Sequence, residues 1–323
     1  MKNLLLVIAK VFISVGLITW LLSGADLEQI WHTIKTANVL LLVIAFLTFF
    51  LGYFITAKRW QSLLAALEVP VSIKALLQSF SISIFFNNFL PSTIGGDAYR
   101  MYDSYRLGAG KARAIAVVFI DRVIGLSALL LLCLVVSLFA SEVAEKIPFL
   151  QLLLSAVMIG MAVLTWIVFG SGGEILLKLT DRPNSLFRLA HKTLDKVYDG
   201  FSLFKGRRDV LIKAVGLSLL LQANVVIHCI LIAKALSIDI PTLAMFIIIP
   251  LSYLIMVLPI SINGVGLRES VFVFFFGLFS VPSEQALAFA FISFGMILAQ
   301  GVIGGIVFLF RRRHDKDGGL KSF

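Results

Sequence analysis

The chain has 323 residues, of which 59% are hydrophobic and 14% charged, with a formal net charge of +10. Soluble domains carry about 25% charged residues, and the apolar residues here form long uncharged blocks. A soluble globular fold is therefore excluded in favour of an all-α, polytopic membrane helical bundle. The basic excess suits segments that face an anionic cytoplasmic leaflet. No nucleic acid is expected as a partner, because most of the 28 Phe lie in apolar spans and not within a basic surface.

Six stretches approach the roughly 20 residues that a bilayer core requires: 4–22, 38–57, 114–140, 149–169, 211–236 and 285–310. Two more, 75–96 and 242–281, are interrupted, so about eight hydrophobic segments are expected. The first also has the layout of a signal peptide, with Lys2 ahead of an apolar run from Val11 to Leu22 and an "SGA" cut site. Lys10 breaks that run and many spans follow, which favours a retained helix over cleavage of residues 1–24.

Charge orients the segments. Arg100, Arg106, Lys111 and Arg113 lie within 97–113, nine Lys or Arg within 171–213, and Arg311, Arg312, Arg313, Lys316 and Lys321 in the tail. These regions are expected in the cytoplasm, with both termini, while 23–37, 141–148 and 237–241 face outward. Lys58 and Arg59 precede the first interrupted stretch and Arg100 follows it, so 75–96 should enter and return from the inside. Residues 242–281 should then re-enter from the outside. The alternative is two ordinary spans, 242–258 and 267–281.

Both interruptions carry the same motif. Aligned without gaps, "LPSTIGGDAYR" at 90–100 and "LPISINGVGLR" at 258–268 share Leu, Pro, Ile, Gly and Arg at an offset of 168 residues. Shifting the flanking spans by that offset brings 38–57 near 211–236 and 114–140 near 285–310. Repeat halves of about 38–140 and 211–310 with opposite polarity are the plan of an inverted-repeat transporter. The expected architecture is one transmembrane domain over 1–313, with six full spans and two re-entrant hairpins. A cytoplasmic connector covers 171–209, and residues 314–323 form a tail. Within the connector, the amphipathic run 185–204 should rest on the inner leaflet.

Proline and adjacent glycines end a helix at a depth where lipid cannot satisfy free backbone groups, so such tips must line a cavity or lie within protein. Free N–H groups at a half-helix start, with an arginine fork beside them, suit a phosphate. Asn87, Asn88, Ser92, Thr93, Gly95 and Gly96 are expected to form an inner lip, and Ser261, Asn263, Gly264 and Gly266 an outer one. Arg100, Arg122 and Arg268 would hold the phosphate of a membrane lipid. Asp97, Asp121 and Glu269 would serve as gating counter-ions, or lock the hairpins as structural ion pairs.

In "FIDRVIG" at 119–125, Arg122 has Asp97 or a headgroup as its expected partner, and Asp121 has Arg100 or Arg113. Gln222, Asn224 and His228 share one span, and interhelical hydrogen bonding is their favoured role. Cys133 and Cys229 lie in apolar runs and read as packing residues. No spacing suggests a metal, and no Walker motif is present, so no cofactor is expected.

The segments "NNFLPSTIGGDAYR", "FIDRVIG" and "LPISINGVGLRES" resemble the flippase-like, lysylphosphatidylglycerol synthase transmembrane-domain family, over about residues 5–310. In larger members this module precedes a cytosolic aminoacyltransferase domain, and stand-alone modules are linked to hopanoid or polyprenyl-phosphate sugar pathways. The resemblance implies a flippase moving a phosphate-containing lipid, aminoacylated or carrying a polyprenyl-linked sugar. Only ten residues follow Arg313, so the chain is expected to be no enzyme itself and to work with a separate lipid-modifying transferase. The alternatives are a scaffold or an enzyme within a phosphatidylglycerol lysyltransferase or glycosyltransferase system.

Overall fold

A computed structural model describes residues 2–89, 95–147, 149–169, 203–204, 206–257, 260–261 and 263–316. Among these residues the fold is helical, with no strand. The first helix, α1 (Lys2–Ser23), turns through 89° into α2 (Leu27–Lys35). Residues 23–37, read from charge only for the side they face, thus contain a helix. Leu27, Ile30, Trp31 and Ile34 recur at helical spacing, and Asp26 caps the start by accepting from the amides of Glu28 and Gln29. Helix α2 packs on the last long helix of the chain.

Next come α3 (Val39–Ala66), α4 (Ile73–Phe89) and α5 (Gly95–Ser104), then a π turn over Tyr105–Ala109. Helix α6 is Lys111–Ser137, α7 Ser141–Lys146 and α8 Leu150–Phe169. The chain continues through α9 (Arg208–Ala235), α10 (Thr242–Met256), α11 (Leu267–Gly277) and α12 (Ser283–Lys316). Four of these, α3, α6, α9 and α12, are long and apolar enough to cross a bilayer, and the bent α1–α2 pair makes a possible fifth. Helix α8 occupies the remaining expected span. The proposed amphipathic run of 185–204 lies almost wholly outside the described residues.

The two interrupted stretches fold as expected in one respect: each is a pair of short helices. At about 1.5 Å per residue, α4, α5, α10 and α11, of 17, 10, 15 and 11 residues, reach about 15–26 Å. A hydrocarbon core is about 30 Å thick. Helices α4 and α5 run antiparallel, for Ser79 meets Asp103 at one end and Asn87 meets Gly96 at the other.

Two of the long helices form an antiparallel pair, and the short ones pack on others. Helix α3 runs along α9, where the Asn38 amide reaches the Ala235 carbonyl at 2.8 Å and the Asn224 side chain reaches the Thr48 carbonyl at 3.1 Å. Helix α4 lies against α12, and α10 lies against α6. The α4–α12 contact is close because α12 offers Gly301, Gly304 and Gly305, where any Cβ would collide with Ser81, Phe85 or Asn88. Apolar packing falls in two clusters. One includes Trp60, Leu63, Leu76, Val117 and Ile120; the other includes Leu130, Ile248, Phe272, Phe276 and Phe289. Large apolar side chains such as Phe12, Leu40, Leu47 and Phe139 are exposed, which suits a surface bathed in lipid.

Candidate functional site: a cationic cavity between the first hairpin and the long helices

Helices α3, α4, α5, α6, α9, α10 and α12 enclose a cavity of about 490 Å³. One wall holds five charged side chains in an alternating chain. Arg59 Nε lies 2.5 Å from Asp121 Oδ1, and Arg100 Nη2 lies 2.9 Å from Asp121 Oδ2. Arg100 Nη1 is 3.8 Å from Asp97 Oδ1, and Arg122 Nε is 2.7 Å from Asp97 Oδ2. The series runs from enclosed to open: the Asp121 side chain is 2% exposed, Arg100 5%, Asp97 16% and Arg122 51%.

The local folding explains this convergence. Gly52, Thr56, Arg59 and Leu63 recur on one buried stripe of α3, which carries Arg59 inward. There Ser218 of α9 accepts from its Nη1 at 2.6 Å. Gly96 lets α5 approach α4. Its amide donates to Asn87 Oδ1 at 2.8 Å, and a Cβ there would lie 2.5 Å from the Ser83 carbonyl oxygen. That approach brings Arg100 inside, with its guanidinium 4.6 Å from the Trp60 ring centre and its Nε buried without a partner. Asp97 stands in the first turn of α5, where a carboxylate is favoured by the helix dipole.

The rest of the wall mixes apolar side chains such as Phe49, Leu126 and Ile297 with uncharged polar ones. Tyr53 donates to Gln300 Oε1 at 2.8 Å, leaving the buried Gln300 Nε2 unpartnered. His228 Nδ1 lies 2.8 Å from the Ala45 carbonyl oxygen, an arrangement in which that nitrogen donates. Gln222 reaches the Gly125 carbonyl at 3.3 Å. With Asn224 these side chains bind one helix to another, the favoured reading of that trio. Cys133 and Cys229 are free and buried, as expected of packing residues.

Of the residues singled out in the sequence, Asn87, Asn88, Asp97, Arg100, Asp121 and Arg122 line this cavity. Gly95 and Gly96 start α5 beside it. Ser92 and Thr93 lie outside the described residues. Ser261, Asn263, Gly264, Gly266, Arg268 and Glu269 gather at the second tip and are not part of the cavity wall. There Gly266, at φ 80°, abuts α1, and a Cβ would come 2.8 Å from that of Leu17. Glu269 accepts the Gly266 amide at 2.7 Å and so caps α11. Arg268 is buried over the Phe294 ring at 4.4 Å and donates to the Asn263 carbonyl at 3.0 Å, with Nη1 unpartnered. Ser261 Oγ is also buried without a partner. The two tips touch where the Asn263 side chain donates to the Asn88 carbonyl.

Sequence reasoning offered Asp121 either Arg100 or Arg113, and Arg122 either Asp97 or a headgroup; the structure pairs Asp121 with Arg100 and Arg122 with Asp97, while Arg113 donates to the Leu67 carbonyl. Sequence reasoning missed Arg59, read only as a flanking charge, and the roles of Tyr53, Ser218 and Gln300. It also missed the bidentate pair of Arg311 with Asp103, both bonds at 3.0 Å. Ser79 completes that cluster.

The family model described as "Lysylphosphatidylglycerol synthase TM region" matches residues 7–305. A UPF0104 membrane protein of Methanocaldococcus jannaschii is 22% identical over 310 residues, 89% of this chain and 88% of that protein. Another, from Pyrococcus horikoshii, is 24% identical over 172 residues, 52% of this chain and only 50% of that relative's length. With a match that spans nearly its whole length, an all-helical fold and long apolar helices, the chain is a multi-pass membrane protein and belongs to the lysylphosphatidylglycerol synthase TM region family.

Proposed function

We propose that this protein carries a phosphate-containing lipid between the leaflets of the cell membrane, with the cavity beside α5 as its headgroup seat. The observation that carries the reading is the alternating array of Arg59, Asp121, Arg100, Asp97 and Arg122 on that wall. Three guanidiniums face two carboxylates, so one positive charge is left over in a space rimmed by apolar side chains. Such a charge needs a reason, and a phosphate beside a helix start and arginine forks supplies one. Arg268, Ser261 and Asn263 at the second tip would form a further station, since each keeps a buried polar atom without a partner.

The packing supports an inverted repeat. Under the offset of 168 residues, α4 corresponds to α10 and α6 to α12. Helix α4 packs on α12, and its counterpart α10 packs on α6. The corresponding spans α3 and α9 lie antiparallel against each other. Each hairpin is thereby held by the last helix of the opposite half, a plan in which rocking one half against the other alternates access. In this reading the hairpins are re-entrant, α1 and α8 complete six spans, and both termini face the cytoplasm. The protein acts as a carrier without transferase chemistry of its own and exchanges lipid with a separate transferase.

The test is movement of acyl-labelled phosphatidylglycerol in vesicles reconstituted with the purified chain, read by chemical quenching of the outer leaflet. Wild type should speed exchange, and Arg122→Ala, at a half-exposed side chain, should abolish it while the protein stays folded. Exchange no faster than in protein-free vesicles overturns the proposal. Labelling of cysteines at Gly24 from outside and Lys111 from inside checks the orientation; the opposite pattern removes it.

A further inference from the structure

We propose that the headgroup accepted by this cavity is a singly anionic phosphodiester ending in an uncharged polyol, and not a cationic aminoacyl ester. The inference rests on the carrier reading above and narrows its substrate.

Every carboxylate among the described residues of the cavity wall is already matched. Asp121 lies between Arg59 and Arg100, and Asp97 between Arg122 and Arg100. An aminoacyl headgroup would bring one or two ammonium groups into this space and find no acid free to receive them. It would meet a net positive charge instead. A buried charge without a partner is strongly disfavoured, and like charges repel more strongly where water is excluded. A phosphodiester brings one negative charge and balances the surplus.

The neutral part of the wall points the same way. Tyr53, Thr56, Asn87, Asn224 and Gln300 present hydroxyls and amides. Two donors in the wall lack acceptors, Arg100 Nε and Gln300 Nε2. They lie on helices α5 and α12, so a ligand that satisfies both must offer acceptor oxygens to two walls at once. Buried polar groups are almost always paired. A phosphate can answer the arginine, and the hydroxyls of a glycerol or sugar can answer the amide.

The experiment uses the full chain in phosphatidylcholine vesicles with acyl-labelled phosphatidylglycerol and lysylphosphatidylglycerol as probes. Phosphatidylglycerol should move at least about tenfold faster, the equivalent of a single unpaired charge contact. Gln300→Glu is near-isosteric and adds a carboxylate to the lining of the same cavity, so it should shift the ratio of the two rates toward the lysyl lipid. A ratio measured within one variant does not depend on how much of it is folded. Equal or faster movement of the lysyl lipid by wild type overturns the inference and leaves the carrier reading intact. An unchanged ratio in Gln300→Glu overturns it likewise. Movement of neither lipid removes the carrier reading and this inference together. Soluble glycerol phosphate should compete better than inorganic phosphate; equal competition marks a free-anion seat and overturns the polyol assignment.

Discussion

Asn263 donates its side-chain amide to the backbone carbonyl of Asn88 at 2.7 Å, joining two residues 175 positions apart. It thereby closes the tip of one hairpin on the end of the other. Asn88 in turn donates to the Ile297 carbonyl on α12 at 2.7 Å. Asn263 adopts φ 51°, which glycine also accepts, so Asn263→Gly removes the contact without backbone strain. The substitution should cost about 1 kcal/mol of stability, the net worth of such a bond. It should also let the tips part more readily, so that labelled lipid exchanges faster although the melting temperature in detergent falls. A slower exchange would mean that Asn263 counts more as part of the second station than as a tie between the tips.

Asp121 is the centre of the charge array, because both of its oxygens are held by buried arginines. Asp121→Asn strands Arg59 and leaves Arg100 only its longer 3.8 Å contact with Asp97, and breaking a buried pair from one side typically costs about 3–5 kcal/mol. We expect this variant to be the least stable of the single cavity changes in thermal unfolding. Adding Arg59→Met removes one stranded cation and leaves Arg100 with Asp97, so the double variant should melt above Asp121→Asn. A double variant that melts lower would show that Arg59 stabilises the bundle through Ser218 more than through Asp121.

Much of this array could be read from spacing. Asp121 and Arg122 are charges within an apolar run, and Asp97 and Arg100 follow a glycine pair, so each stood out against its surroundings. Arg59 did not stand out, because the apolar run of 38–57 ends just before Lys58 and Arg59. Helix α3 in fact continues to Ala66, and the stripe from Gly52 through Thr56 and Arg59 to Leu63 was the available signal. Gln300 and Tyr53 were invisible for a different reason: their contact spans 247 residues between α3 and α12, and no local pattern encodes it. The break of each interrupted stretch into two short helices was legible in proline and glycine, whereas α2 required attention to a nine-residue amphipathic run that a span-length window passes over.

The Arg311–Asp103 pair fixes the C-terminal part of the last helix to α5. Both guanidinium nitrogens bind the carboxylate at 3.0 Å, and Ser79 of α4 joins the cluster. Arg311→Lys keeps the charge but not the planar fork, and should loosen α5 by roughly 1–2 kcal/mol. Hydrogen exchange of the amides in 97–104 should then rise about tenfold, while exchange in α9 stays unchanged. Equal acceleration in α9 would indicate general destabilisation and not a local latch.

Gly304 sets how closely α4 sits on α12. A Cβ at that position would collide with the Ser81 carbonyl oxygen, and this oxygen belongs to the α4 backbone and has no rotamer to turn away. Gly304→Ala must therefore push α4 off α12, and should cost about 1–3 kcal/mol or more, as overpacking does. At Gly216 on α9, by contrast, an added Cβ would meet nothing within 4 Å, so Gly216→Ala should be neutral or raise stability by up to about 1 kcal/mol through helix propensity. Melting temperatures of the two alanine variants in the same detergent separate close approach from propensity. Because α4 carries Asn87 and Asn88 to the cavity, Gly304→Ala should also lower lipid exchange, whereas Gly216→Ala should leave it unchanged.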